Sequence, residues 1–95
     1  MEQFNILSRF LGKAAHDSRL LHAHICLYTA MLSVWEQNRF SIPFRITRKE
    51  LMRLSKLAST ATYHRCLKEL VSYGYVRYEP SYDHYKGSQV FLTGF

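Results

Sequence analysis

Five residues between positions 61 and 68 carry side chains that could contact the base pairs of a nucleic acid. Arg65 can donate two parallel hydrogen bonds to a guanine, while Thr62 and His64 can bond a base edge or a phosphate. The apolar residues of this segment recur at helical spacing, and a helix turns by about 100° per residue, so the polar residues fall on its opposite side. The predicted inward stripe is Tyr63, Leu67 and Leu70, and the predicted base-reading face is Ala61, Thr62, His64, Arg65 and Lys68.

A second group of polar and basic residues is suited to binding phosphate. Thr47 and Thr60 stand near the predicted starts of two helices, where free backbone amides and the helix dipole attract anions. Nearby lysines and arginines add an attraction that is independent of base sequence and weakens steeply with salt. The predicted phosphate contacts are Thr47, Arg48, Lys49, Arg53, Lys56 and Thr60.

The elements that must position these side chains are two short helices joined by a tight turn, within residues 47–73. Thr47-Arg48-Lys49-Glu50 has the pattern of a capping box, in which the threonine oxygen accepts the Glu50 amide and the glutamate reaches back. Ser59 is a suitable N-cap for the second helix. Gly74 can form a left-handed C-terminal cap, so this helix should span about 60–73. The pattern predicts a helix-turn-helix, whose second helix is the one presented to the major groove.

Positive charge is concentrated on the same segment. The 95-residue chain has a formal net charge of +6 at pH 7. Between residues 39 and 68, eight basic residues stand against Glu50 alone, a local net charge of +7. A solvated basic face is the simpler explanation, but the concentration favours a polyanionic partner such as double-stranded DNA.

Two predicted helices precede this segment and a hairpin follows it. Residues 2–15 predict a short amphipathic helix. The helix predicted at 20–38 is apolar on more than one face, so its second face must be covered by the N-terminal helix or by another subunit. The chain could therefore form a homodimer through these two helices. Phe44-Arg45-Ile46 predicts a short strand, and residues 75–92 predict a wing hairpin that contacts the DNA backbone or minor groove. The wing residues are Arg77, Tyr82, Tyr85 and Lys86, of which the tyrosines could instead pack across the hairpin.

Together these elements predict one domain over residues 1–95. The expected fold is mainly α with a small β-hairpin, a winged helix-turn-helix in the order α-α-β-α-α-β-β. No apolar run approaches the roughly 20 residues that span a bilayer, and the N-terminus lacks a signal pattern, so we expect a cytoplasmic protein with no membrane partner. Cys26 and Cys66 fall on predicted helices among apolar residues, which suits reduced packing residues.

Catalysis and metal binding are not predicted. His22, His24 and Cys26 invite a metal site, because His22 and Cys26 share a helix face, but the sequence offers no second cluster of ligands nearby. It contains no glycine-rich phosphate loop, G-x-S-x-G motif or paired-carboxylate pattern. We expect no catalytic residue, no metal and no cofactor, and therefore a protein that is not an enzyme.

Residues 46–76 resemble the winged helix-turn-helix of the multiple-antibiotic-resistance regulator family, with Ser59-Thr60-Ala61-Thr62-Tyr63 standing at its cap and first recognition turn. Over nearly its full length the chain is more similar to small winged-helix proteins of conjugative and mobilizable transposons from gut anaerobes. The residues that carry this similarity include Ile25-Cys26-Leu27-Tyr28, Thr62-Tyr63-His64-Arg65-Cys66 and Lys86-Gly87-Ser88. The resemblance implies DNA binding and a role in a mobile element. The long C-terminal dimerisation helices of the regulator family have no counterpart in this sequence, which argues against dimerisation by that route.

The function expected from the sequence is that of a DNA-binding transcriptional regulator working as a dimer on a two-fold site. Two alternatives stay open. A mobile-element accessory or replication-initiation factor would use the same surface. A winged-helix protein-interaction module would bind no nucleic acid, and it is favoured by the apolar surface of residues 20–38.

Overall fold

The computed structural model describes residues 2–79 and 87–93, with side chains from residue 5 onward. This part of the chain is mainly helical with a small antiparallel sheet, as predicted, and its elements follow the predicted order. They are α1 (Glu2–Ala15), α2 (His22–Gln37), β1 (Phe44–Ile46), α3 (Arg48–Ser55), α4 (Thr60–Ser72), β2 (Val76–Glu79) and β3 (Ser88–Leu92). The long helix begins two residues later than predicted, because His22 is its first helical residue. Among the helices described, none has the length and apolar character needed to cross a membrane.

The central element is α2, which packs against α1, α3, α4 and β1. Leu27, Tyr28 and Met31 on this helix are completely buried. Burying side chains of this size stabilises the fold by about 1.5–3 kcal/mol each. From the sequence, either α1 or a second subunit was expected to cover the other apolar face of α2. In the structure α1, α3 and α4 all pack on α2 within the same chain, and Phe10 of α1 is stacked on Tyr28.

The α3–α4 pair has most of the predicted caps. Thr47 Oγ1 accepts the Glu50 amide at 3.2 Å, and Ser59 Oγ accepts the Thr62 amide at 3.3 Å. After α4, Gly74 has a φ of +87°, a conformation that glycine adopts without steric cost. The amides of Gly74 and Tyr75 donate to the carbonyls of Val71 and Leu70, which is the Schellman pattern that ends a helix.

One half of the predicted capping box is wrong. The Glu50 carboxylate was expected to reach back to the start of α3. Instead both of its oxygens accept hydrogen bonds from Arg53, at 3.2 Å from Nε and 2.8 Å from Nη2. The Arg53 hydrogen bonds lower the pKa of Glu50. A guanidinium one turn further along α3 offers two strong donors, and this competes successfully with one backbone amide.

The sheet contains three strands in the described residues, in the order β1-β3-β2. β2 and β3 form the predicted hairpin, with Val76 opposite Leu92 and Glu79 opposite Gln89. The sequence did not indicate that β1 pairs with β3, which places Phe44 opposite Val90. β1 is therefore an edge strand, the position that suits a strand preceded by proline. The sheet joins the segment before α3 to the segment after α4.

Candidate nucleic-acid interface

The two faces of α4 are divided as the sequence predicts. Tyr63, Leu67 and Leu70 are buried, with at most 5% of each residue exposed. They hold the helix against α2, α3 and β2. On the opposite side the predicted base-reading residues Ala61, His64, Arg65 and Lys68 are exposed, and Thr62 is half-buried. The side chains of His64, Arg65 and Lys68 are therefore accessible to a ligand, whereas the Thr62 amide already donates to the N-cap Ser59.

The six predicted phosphate-binding residues are all exposed. Thr47 caps α3, and Thr60 is the first helical residue of α4. Lys56 has a φ of +65° and ends α3, so its backbone is in the left-handed region at the turn. Arg53 differs from the others because its guanidinium is already bound to Glu50. It is a poorer phosphate ligand than its exposure alone indicates.

Arg65 has an acidic neighbour that was absent from the predicted site. Arg65 Nε lies 3.6 Å from Glu69 Oε1, one turn along α4. Glu69 Oε1 also accepts a 3.1 Å hydrogen bond from His24 Nε2, and Glu69 Oε2 accepts one of 3.1 Å from the Tyr73 hydroxyl. The i,i+4 spacing of Arg65 and Glu69 was a usable signal, since it brings opposite charges together on a helix. His24 lies 45 residues away from Glu69 in the chain and has no such signal.

Three candidate metal ligands meet where α2 packs on α4, but their geometry does not fit a metal. Donor atoms of His24, Cys66 and Glu69 lie within 4.8 Å of one another. A neutral histidine that binds a metal through Nε2 carries its proton on Nδ1 and donates it to a neighbour. Here Nδ1 of His24 accepts the Leu21 amide at 2.9 Å, so a proton on Nδ1 would face another donor. Burial also raises the pKa of the Cys66 thiol, which disfavours the metal-binding thiolate.

The two cysteines have different environments, and the prediction that both are packing residues is wrong for Cys26. Cys66 is buried and free, whereas Cys26 is free and exposed. Cys26 lines a shallow groove between α2 and the end of α3, together with Thr29, Ser33 and Lys56. The structure buries more than one face of α2, and Cys26 lies outside the buried faces.

Of the predicted wing residues, Arg77 alone lies within the described part of the chain. Its guanidinium carbon is 5.1 Å from the centre of the Phe91 ring, and its Nη2 is 3.5 Å from Glu79 Oε1. Tyr82, Tyr85 and Lys86 lie outside the described residues. Arg77 is exposed, so both of these contacts are on the surface and solvent weakens them.

Comparison with protein-family models, with curated proteins and with solved structures gave no match.

Proposed function

We propose that the protein is a winged helix-turn-helix DNA-binding protein of regulatory type, which inserts α4 into the major groove. The observation that carries the proposal is the division of α4 into two faces. Its apolar stripe is buried, while His64, Arg65 and Lys68 are exposed on the other side. The 13 residues of α4 give a rod about 20 Å long, and its diameter of about 10–12 Å matches a groove about 12 Å wide.

The distribution of charge supports the same partner. The segment of net charge +7 contains α3, the turn and the first part of α4. Phosphates would be bound by the two helix starts at Thr47 and Thr60 and by the basic side chains around them. The hairpin β2–β3 would be the wing, lying along the backbone or in the minor groove. Such a protein acts where DNA is accessible, which for this chain we place in the cytoplasm.

Binding to a random duplex at several salt concentrations tests the class of partner. Each phosphate contact should lower the slope of log K against log salt by about 0.9, so four to five contacts predict a slope of about −4. A protein-interaction module would show no binding even at low salt. Absence of binding at about 50 mM salt, where such contacts are strongest, would refute the proposal.

The base-reading assignment is tested by Arg65→Ala with Arg9→Ala as the control. Both substitutions remove one exposed arginine, but Arg9 is on α1, outside the α3–α4 pair. The preferred site is first selected from a pool of random duplexes. Arg65→Ala should weaken binding to it by about 1–3 kcal/mol and relax preference at one base pair, because a bidentate guanine contact is lost. Equal effects of the two substitutions on the preference at that base pair would contradict the assignment.

We also propose that the protein pairs through α1 and α2 to bind a two-fold site. Leu11 on α1 and Leu21 directly before α2 are large apolar residues with 43% and 57% of their surface exposed. Sedimentation with and without the selected duplex measures the stoichiometry, and a selected site with two half-sites about one helical turn apart would support a dimer. A role in a mobile element uses the same surface, so the identity of the selected site separates it from gene regulation.

A further inference from the structure

Glu69 is an acid at the edge of a basic surface, and its carboxylate is hydrogen-bonded to two neighbouring side chains. His24 holds one carboxylate oxygen and Tyr73 holds the other. The His24 hydrogen bond, with further help from Tyr73 and the charge of Arg65, lowers the pKa of Glu69. Glu69 is therefore ionised at neutral pH. The negative charge of Glu69 repels DNA phosphates, so attraction to a polyanion does not explain why an acid stands at this position.

The orientation of Glu69 is set from the core. The Leu21 amide can only donate, so His24 Nδ1 is the acceptor of their 2.9 Å hydrogen bond. The neutral imidazole then carries its proton on Nε2 and donates it to Glu69 Oε1. Only 2% of His24 is exposed, so the donor that fixes Glu69 is itself held by surrounding protein. The start of α2 is thereby connected to the outer face of α4.

Arg65 faces the Glu69 carboxylate with one edge of its guanidinium group. Its Nε faces Glu69 Oε1, while 61% of the side chain is exposed. At 3.6 Å this contact is an ion pair without a hydrogen bond, and it draws the Nε side of the guanidinium toward the carboxylate. The terminal Nη groups on the other side can form the parallel pair of bonds to guanine O6 and N7. Arginine loses substantial rotamer entropy when it is fixed, and a partner that restrains it before binding lowers this cost.

We propose that Glu69 is a positioning residue for base recognition, which orients Arg65 toward guanine and is itself oriented by His24 and Tyr73. The inference rests on the proposed function, because it assigns a specificity determinant to the same interface. Neutralising Glu69 has different expected effects if Glu69 acts only through its charge and if it positions Arg65. Loss of a repulsive charge strengthens binding to any duplex, whereas loss of positioning weakens discrimination between duplexes.

The experiment compares Glu69→Gln with the wild type on two versions of the selected site. One version carries the contacted guanine, and the other carries 7-deazaguanine, which pairs normally but lacks the N7 acceptor. Glu69→Gln should reduce the ratio of the two dissociation constants by about tenfold, within the range of a bidentate contact, and leave binding to random duplex equal or tighter. Glu79→Gln is the control, since Glu79 is an exposed acid on β2, outside α4. Wild-type discrimination in Glu69→Gln would overturn the proposal.

A second variant and a measurement without DNA keep the result decisive if Glu69→Gln unfolds. Tyr73→Phe removes the hydroxyl that holds Oε2 but keeps the charge of Glu69 and the ring that lies 4.2 Å from the Arg19 guanidinium carbon. Tyr73→Phe should reduce the discrimination between the two duplexes, but by less than Glu69→Gln does. In the free protein, NMR relaxation of the Arg65 Nε–H group should report a side chain with restricted motion, and this restriction should decrease in either variant. A wild-type Arg65 side chain as mobile as that of the variants would refute the positioning role even if DNA binds.

The two proposals fail in different ways. If the wild type binds no duplex, the proposed function fails and base positioning fails with it. If Arg65→Ala abolishes guanine discrimination while Glu69→Gln and Tyr73→Phe retain it, only the positioning role fails. In the Arg65→Ala background, Glu69→Gln should have no further effect on discrimination, because the two residues act through one contact.

Discussion

The hydroxyl of Tyr75 donates a 2.8 Å hydrogen bond to Oδ2 of Asp17, a residue 58 positions earlier in the chain. Asp17 also accepts hydrogen bonds from Arg19, at 2.9 Å from Nε to Oδ1 and 2.8 Å from Nη2 to Oδ2. The connection between α1 and α2 is in this way attached to the segment that follows α4. The Arg19 hydrogen bonds, with Tyr75 contributing less, hold the pKa of Asp17 well below its usual range.

We predict that Asp17→Asn destabilises the protein at neutral pH and that its effect becomes smaller in acid. The folded pKa is below the unfolded value of about 3.9, so the ionised carboxylate stabilises the fold above that pH. This contribution is lost as pH falls through the folded pKa. Urea unfolding followed by circular dichroism at pH 7, 5, 4 and 3 measures it. Glu36→Gln on α2 is the control for loss of one acid, and a pH-independent difference for Asp17→Asn would contradict the prediction.

A buried hydroxyl predicts a substitution that stabilises the protein. Tyr28 Oη is buried and has no hydrogen-bond partner among the described residues. Its ring is stacked on Phe10, with the centroids 3.8 Å apart, and a phenylalanine would keep this contact. An unpaired buried hydroxyl costs about 1–3 kcal/mol, so Tyr28→Phe should raise the free energy of unfolding by about 1 kcal/mol.

The control for this prediction is the same substitution at Tyr75. The Tyr75 hydroxyl is bonded to Asp17, so Tyr75→Phe should lower the free energy of unfolding by about 1 kcal/mol. Urea unfolding of both variants at pH 7 measures whether each substitution raises or lowers the free energy of unfolding. A loss of stability in both would show that the Tyr28 hydroxyl has a partner.

Local signals explain why the α3–α4 pair could be predicted from the sequence. Thr47, Ser59 and Gly74 each act on backbone groups within a few residues, so each of these signals can be recognised without knowing the rest of the fold. The inward stripe of α4 is equally local, because Tyr63 and Leu67 are four residues apart on one helix. The exposed face opposite them followed directly from this spacing.

The features that the sequence did not indicate all depend on distant parts of the chain. β1 pairs with β3 because the chain after α4 folds back beside β1. A three-residue strand has no sequence pattern that identifies its partner strand. The Glu69 network required His24, which sits on another helix. Cys26 was misplaced because its neighbours along α2 are apolar, and only the packing of the elements around α2 determines which positions are buried.

Glycine at position 87 is required by a close approach of two strands. Its φ is +68°, and a Cβ atom placed there would lie 2.7 Å from the carbonyl oxygen of Ile46. Gly87→Ala should therefore destabilise the fold by about 1–3 kcal/mol, since the backbone is strained and β1 must move. Gly12→Ala is the matched control, because Gly12 is within α1 and nothing lies within 4 Å of its Cβ position.

For Gly12→Ala we expect a gain of about 0.5–1 kcal/mol, the usual difference in helix propensity. Thermal unfolding of the two variants under identical conditions distinguishes a general effect of alanine from the effect of position. Gly87→Ala that is as stable as the wild type would show that β1 does not approach β3 as described.

Two arginines of α3 should differ in their effect on DNA binding, because only one has an acidic partner in the described part of the chain. Arg53 is bound to Glu50 through two hydrogen bonds, whereas Arg48 is exposed with no such pair there. If α3 contacts phosphate, Arg48→Gln should make the salt slope less steep by about 0.9. Arg53→Gln should change it by less, since its guanidinium is committed to Glu50. Fluorescence anisotropy with one duplex at four salt concentrations measures both slopes. Equal changes would mean that the exposed Arg53–Glu50 pair opens when DNA binds, as a weak surface ion pair can.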